Sequence, residues 1–231
     1  GSALHALLVW LLITGRWGGE PLGSLGCGIS NAIVNWFVFI CGIVYMVKSS
    51  RFRQYHLFSN WQRPQRQTLR ELLRLGLPMG LSSFVEVSSF TLSAVFVAQL
   101  GAHTVSGHRI VANLAAIVYM MPLSIAMATL TYVGNAVGAR DWRRAGSAAW
   151  AGVCQAIFFA GLLSAILWTL RDYFVAVYTN DLGVRVIALM LIVYVCLYQI
   201  FDAIQTVSAF ALRGYKITFI PMLVHIICFW G

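Results

Sequence analysis

The sequence predicts an all-α, polytopic membrane helix bundle, and three observations predict it. The 231 residues are 60% hydrophobic and only 10% charged, where an ordinary soluble domain is about 25% charged, and the mean hydropathy is +0.79. The apolar residues are gathered into runs long enough to cross a bilayer, which takes about 20 residues. Two of those runs, Leu75–His108 and Val186–Leu212, each carry one carboxylate well inside, Glu86 and Asp202. A carboxylate at mid-span costs roughly 2.5–3.5 kcal/mol on insertion scales, so it faces protein or a wet cavity and marks a route for ions or protons. No polar stretch is long enough to form a soluble domain beside the spans.

The elements follow in order. Ala3–Gly15 is too short to span and reads as the end of a longer helix. A turn holding Arg16, Glu20 and Pro21 leads to a span over Leu25–Val47. A basic loop covers Lys48–Leu73, and its tail, Gln67–Leu73, fits an amphipathic helix lying on the membrane surface. Further spans are expected over Leu75–Leu100, Ile110–Val137, Ala145–Leu170 and Val186–Leu212, and another begins at Ile217. The Ile110–Val137 run would be on the order of 40 Å long as one helix, more than a ~30 Å hydrocarbon core, so it should tilt or bend. Pro122 gives it a place to bend. The chain lacks an initiator Met and a signal-peptide pattern, and opens and closes in apolar stretches. It is therefore expected to be a piece of a longer protein.

Charge placement orients the bundle. The net charge is +9, but no nucleic-acid motif accompanies it, and seven basic residues cluster in one loop: Lys48, Arg51, Arg53, Arg63, Arg66, Arg70 and Arg74. Alternating connections put Arg140, Arg143, Arg144, Arg213 and Lys216 on the same side, which then holds twelve of the sixteen Lys and Arg. By the positive-inside rule that side is cytoplasmic. The five cysteines are scattered without a C-x-x-C pair and read as small buried hydrophobes. The five histidines lack metal-ligand spacing. No nucleophile elbow, P-loop or dinucleotide fingerprint is present, which argues against an enzyme or an ATP-driven pump, and no cofactor is expected beyond a coupling ion.

Two polar stripes carry the candidate chemistry. Tyr194, Tyr198, Asp202 and Gln205 fall at i, i+4, i+8 and i+11, one face of a helix. Ser82, Glu86 and Ser89 form a second such face. Their oxygens suit Na⁺ or a proton. If the stripes meet, two carboxylates share one site and cannot both stay ionised and unpaired without penalty, which equips the pair to exchange a bound cation for a proton or a cationic substrate. The competing reading makes each carboxylate a structural residue satisfied by Ser, Tyr or backbone. Arg109, paired at i+4 with Asn113, also has two readings: a side chain snorkelling to the outer interface, or a tethered cation that partners Glu86 or Asp202. Tyr119 is either core or a cation–π surface. Asn31 and Asn35 either bond between helices or line a cavity. Gly134 and Gly138 form a small-xxx-small pattern that permits close helix approach.

Phe84-Val-Glu-Val-Ser88, Gly107-His-Arg-Ile-Val-Ala-Asn113, Met121-Pro-Leu-Ser124, Val133-Gly-Asn-Ala-Val-Gly138, Tyr198-Gln-Ile-Phe-Asp202 and Leu212-Arg-Gly-Tyr-Lys216 together resemble the multidrug and toxic compound extrusion (MATE) family, in its bacterial NorM-like branch. The resemblance implies a fold of twelve helices in two pseudo-symmetric lobes. Residues 1–47 would end the N-lobe (the fifth-helix remnant and the sixth helix), 48–73 would be the basic cytoplasmic inter-lobe linker, and 74–231 would form the C-lobe from the seventh helix into the eleventh. It implies a cation site at Glu86, Asp202 and Tyr198, with Na⁺ as one possible occupant, an aromatic neighbour at Tyr119, and an acidic outer loop at Asp181 and Asn180 that touches cationic drugs. Glu86 and Asp202 would also meet the drug.

The implied function is export of cationic lipophilic compounds in exchange for Na⁺ or H⁺ by alternating access, in a bacterial inner membrane. The expected partners are drugs, lipid and the missing helices, with no nucleic acid, and the chain is expected to be monomeric. Two departures stand out. Arg109 replaces the usual Gln, and His5-Ala-Leu-Leu-Val9 replaces a polar Asn-x-Pro-x-Asn. The alternatives are a flippase for a lipid-linked saccharide or other amphiphile, and a non-transporting membrane scaffold.

Overall fold

The computed structural model describes residues 2–14, 23–49 and 65–231. Most of the basic loop, residues 50–64, and the turn at 15–22 lie outside the described residues. The chain divides into two compact units, 1–64 and 65–231, and every described element is a helix or a short turn.

The first unit holds α1 (Ser2–Thr14) and α2 (Gly23–Lys48). They touch where Gly26 passes Leu12: a Cβ at Gly26 would lie 3.1 Å from the Leu12 carbonyl carbon. Asn35 donates to Asn31 at 3.4 Å within α2, and both side chains are exposed. The two amides therefore satisfy each other along the helix rather than joining helices within this unit.

The second unit holds α3 (Arg66–Ala98), α4 (Ala102–Gly138), α5 (Trp142–Thr169), α6 (Arg171–Tyr178), α7 (Leu182–Gly214) and α8 (Phe219–Trp230). With α2, the helices α3, α4, α5 and α7 are long and apolar enough to cross a membrane, while α1 and α8 are shorter apolar helices. The protein is a multi-pass membrane protein.

Cap chemistry sets several ends. Asp141 accepts from the Arg144 N–H at 3.0 Å to start α5, as expected of Asp at an N-cap. Helices α4 and α7 both end with a residue in the left-handed region, Arg140 and Lys216, each at φ 61. In each case the next amide reaches back five residues, Asp141 N to Ala136 O and Ile217 N to Leu212 O, which satisfies a terminal carbonyl.

The core lies among α4, α5 and α7. Toward the start of α4 and α7, Val111, Leu114, Leu167, Ala188 and Ile192 pack together. Deeper in, Ala126, Ala156, Ala160, Ala203 and Val207 form a small-residue seam. Close approach is made by Gly107, Gly152 and Gly214. A Cβ at Gly107 would lie 2.9 Å from Ile187 Cγ2, one at Gly214 would lie 2.9 Å from Val133 Cγ1, and one at Gly152 would overlap the Thr129 hydroxyl. Gly134 and Gly138 meet nothing within 4 Å, so the sequence pattern that suggested close packing is not where the described helices touch.

The structure changes other expectations. Gln67–Leu73 is not a separate surface helix; it is the start of α3, which runs unbroken through Pro78. No Gly or Pro separates it from the span, so the helix simply continues. Helix α4 likewise runs through a buried Pro122; at 37 residues it is roughly 55 Å long. The short helix α6 was not anticipated. Of the five cysteines only Cys196 is buried, because helices that are apolar all round leave much of their surface toward lipid.

Candidate functional site

Helices α4 and α7 run side by side, in contact at Gly107 with Ile187 and at Gly214 with Val133. Between these contacts α4 presents Ala112, Ala115 and Ala116, and the space they leave is a cavity of about 540 Å³. Helix α7 lines it with Tyr194, Tyr198 and Asp202, one turn apart, and α3 adds Glu86 and Phe90. The i, i+4 spacing that defined the sequence stripes thus projects Tyr194, Tyr198 and Asp202 from α7 into one space. Asp202 is buried, at 9% exposure, and Glu86 is half-buried. Both carboxylates face the one cavity, with the Tyr198 phenol a turn before Asp202 on α7.

Tyr119 lines the same cavity. Its hydroxyl meets Thr206 Oγ1 at 3.3 Å, tying α4 to α7 one turn beyond Asp202. Thr206 was missed in the sequence, though its place four residues after Asp202 was a usable signal. His108 also lines the cavity, so the residue of the His108-Arg109 pair that reaches it is the histidine. Arg109 is exposed and is not among the lining residues. The guanidinium that does lie in the field of Glu86 and Tyr119 is Arg213, half-buried over the Phe210 ring at 4.4 Å. Arg109 leaves the wall because the lining positions Val111, Ala112, Ala115, Ala116 and Tyr119 centre on the side of α4 that His108 occupies, with Arg109 about a quarter-turn off it.

The stripes are only partly in the cavity. Ser82 is buried but donates to the Pro78 carbonyl at 2.9 Å, and Ser89 does not line the space. Gln205 turns away to His225 on α8. Glu86 is held by the packing of α3 on α8, where Phe90 meets Phe229 at 6.3 Å and Trp230 donates to the Val85 carbonyl at 3.4 Å.

Asp181 and Asn180 sit apart, at the start of α7, and both are exposed. Asp181 Oδ1 accepts from the Gly183 and Val184 amides at 2.8 and 3.2 Å, and Oδ2 lies 3.5 Å from His103 Nδ1. The carboxylate therefore caps a helix whatever else it meets. Asp181→Ala is expected to lower stability by about 1 kcal/mol, and Asp181→Asn, which can still cap, by much less. Thermal unfolding of the two variants in detergent checks this, and equal losses would refute the cap.

Chemically, the cavity offers two carboxylates, three phenols, the His108 imidazole and the Phe90 ring in an otherwise apolar wall. Oxygen donors of this kind suit a hard cation or a proton, and ring faces attract organic cations. Among the described residues no group of three or more His, Cys, Asp or Glu is arranged to hold a metal ion.

The comparisons agree on one relationship. A family model described as MatE matches residues 78–231. A probable multidrug resistance protein NorM of Aromatoleum aromaticum is 53% identical over 230 residues, covering 100% of this chain and 50% of that protein. The multidrug resistance protein PmpM of Pseudomonas aeruginosa is 36% identical, covering 100% of this chain and 48% of its own length. A solved structure titled "Crystal structure of MATE in complex with MaL6" superposes with a TM-score of 0.77 at 18% identity, over 99% of this chain and 51% of that one. This chain spans about half the length of the curated relatives it matches.

Proposed function

This chain belongs to the MatE family, and from that premise we propose that the full-length protein is a secondary active multidrug efflux antiporter. It exports cationic, lipophilic compounds in exchange for Na⁺ or H⁺ by alternating access. The observation that carries this reading is the cavity that gathers Glu86 and Asp202 with Tyr119, Tyr194, Tyr198 and Phe90. The relatives named for multidrug resistance support the same class of activity.

In this mechanism Glu86, Asp202 and Tyr198 bind the coupling ion; Na⁺ would take carboxylate and phenol oxygens, and a proton would sit on one carboxylate. A bound organic cation uses the same negative charge and the aromatic rings, so ion and drug compete. Entry of the ion from outside then releases the drug and resets the protein. Asp181 and Asn180 contribute an outer contact for the drug. Tyr119 holds the floor through Thr206. The protein works as a transporter and not as an enzyme, in the bacterial inner membrane with the basic loop cytoplasmic. A phosphate-bearing lipid is a poorer fit as cargo, since the lining holds two carboxylates and neither Lys nor Arg.

The test uses the full-length protein in proteoliposomes. Ethidium transport is followed under an imposed Na⁺ or H⁺ gradient, for wild type and Glu86→Gln. Wild type is expected to respond to one gradient, and Glu86→Gln to lose at least about tenfold in rate, the effect of about 1.4 kcal/mol. Flux that ignores the mutation, or needs neither gradient, would reject the antiporter and return Glu86 to a structural role.

A further inference from the structure

Four basic side chains stand at one end of the second unit, each where the local backbone alone would favour something else. The connection from α4 to α5 carries Arg140, α5 opens with Arg143 and Arg144 in its first turn, and the connection from α7 to α8 carries Lys216. Arg140 and Lys216 are the two non-glycine residues with positive φ among the described residues. That conformation suits Gly or Asn and strains a longer side chain. Arg143 and Arg144 sit at a helix start, where the macrodipole disfavours cations, and the first turn holds no acidic residue. The one carboxylate in the two connections is Asp141, and its Oδ1 is taken by the Arg144 amide at 3.0 Å. The positive-inside rule asks only that cations lie on this side; it does not ask for these positions.

The two connections emerge together. Gly214 of α7 is level with Val133 of α4, where an added Cβ would lie 2.9 Å from Val133 Cγ1. Tyr215 packs on Val133, Ala136 and Ala145, the buried residues that join the end of α4 to the start of α5. Arg140 is seven residues past Val133 and Lys216 two past Gly214, so they differ in height by about one and a half helical turns. All four side chains are exposed, and none has an ion-pair partner among the described residues. Trp142, between Arg140 and Arg143 in the chain, is 64% exposed, and Trp is a residue that settles at the headgroup level of a bilayer. Helices α4, α5 and α7 are each long enough to cross a membrane, so these ends reach the layer where lipid phosphates lie.

We propose that this end is a binding site for the phosphate of an anionic phospholipid, held by Arg140, Arg143, Arg144 and Lys216. Charge complementarity names the occupant. Phosphate oxygens accept paired N–H bonds from guanidinium groups and meet Lys as a point charge. A headgroup tethered by its acyl chains already lies at the level Trp142 marks, which a free phosphate does not. Basic pockets between helix ends bind such headgroups. The site stands apart from the cavity of Glu86 and Asp202 and does not depend on the transport reading.

The full-length protein, purified in detergent, tests it by native mass spectrometry with added phosphatidylglycerol or phosphatidylethanolamine. Wild type is expected to bind phosphatidylglycerol at least about tenfold more tightly. Arg140→Asn with Lys216→Asn removes two charges and places a residue that tolerates the left-handed region at both positions. It is expected to weaken phosphatidylglycerol binding about tenfold to thirtyfold, with thermal stability unchanged or raised. Arg66→Gln with Arg70→Gln, two charges that the sequence places on the same side at the start of α3, is the control and is expected to change binding less than about threefold. Unchanged binding by the Asn variant, an equal loss in the control, or equal binding of the two lipids by wild type means diffuse attraction without a site and overturns the proposal. Displacement of the lipid by millimolar inorganic phosphate assigns the end to a free anion and overturns it as well. Should the Asn variant not fold, Arg143→Gln with Arg144→Gln carries the same expectation.

Discussion

Asp202→Asn is expected to weaken binding of a lipophilic cation such as tetraphenylphosphonium by about tenfold to a hundredfold, with the amount of folded protein unchanged. The substitution keeps the volume of the side chain and an oxygen for Tyr198, and removes only the charge. Hydrogen bonds and contacts to charged groups contribute about 1.5–3 kcal/mol, and each 1.4 kcal/mol is a factor of about ten. Asp202 is the more buried of the two carboxylates, so its charge is the less screened by water and its removal the more costly to a bound cation. Tyr198→Phe provides the contrast. It removes a neutral hydroxyl from a half-exposed ring and should weaken binding only a few-fold. Calorimetric titration of the full-length protein in nanodiscs measures both. Binding by Asp202→Asn within about twofold of wild type would show that the carboxylate is a structural residue and would remove the main support for cation exchange.

The sequence made the spans and the two acids visible for a physical reason. A bilayer imposes length and polarity on every helix that crosses it, so composition alone marks the spans, and a carboxylate inside one is conspicuous by its penalty. The phase of Tyr194, Tyr198 and Asp202 followed from helical periodicity. What periodicity could not supply was the partner of each face. Gln205 is in phase with Asp202 yet bonds to His225, because a helix face is wide enough to meet α8 on one side and the cavity on the other. Arg109 drew attention as the only cation in its stretch, but a one-residue difference in phase makes His108 the side chain in the cavity.

The same limit applies to glycine. Gly134 and Gly138 have the spacing associated with close helix contact, but spacing carries no information about which neighbour arrives. Gly152 is unremarkable in the sequence and lies in the tightest place. It heads a line of small residues on α5, with Ala156, Ala160 and Ser164 following at four-residue intervals, all buried. That line faces Ala126 of α4 and Ala203 and Val207 of α7. The seam brings three backbones together and thereby fixes where the cavity-lining faces of α4 and α7 stand.

Gly152→Ala is therefore expected to destabilise the protein by about 1–3 kcal/mol, the usual range for overpacking a filled interior, and Gly152→Val by more. The added Cβ would overlap Thr129 Oγ1 and come within 2.9 Å of its Cγ2. Thr129 cannot yield freely: it is 5% exposed, its hydroxyl donates to the Ile125 carbonyl at 2.8 Å, and a β-branched side chain on a helix has few rotamers to choose from. Removing the two obstructing atoms should relieve the strain, so Thr129→Ala combined with Gly152→Ala is expected to recover most of the loss. The interaction energy between the two substitutions then exceeds the ~0.5 kcal/mol within which independent sites add. Gly134→Ala, which meets nothing within 4 Å, should be neutral or stabilising by up to about 1 kcal/mol through helix propensity alone. Denaturation of these four variants and of Thr129→Ala alone in mixed micelles, followed by tryptophan fluorescence, separates these cases. If Gly152→Ala is as stable as wild type while Gly134→Ala is not, the helices approach at the sequence pattern after all, and the seam described by Gly152 and Thr129 is misplaced.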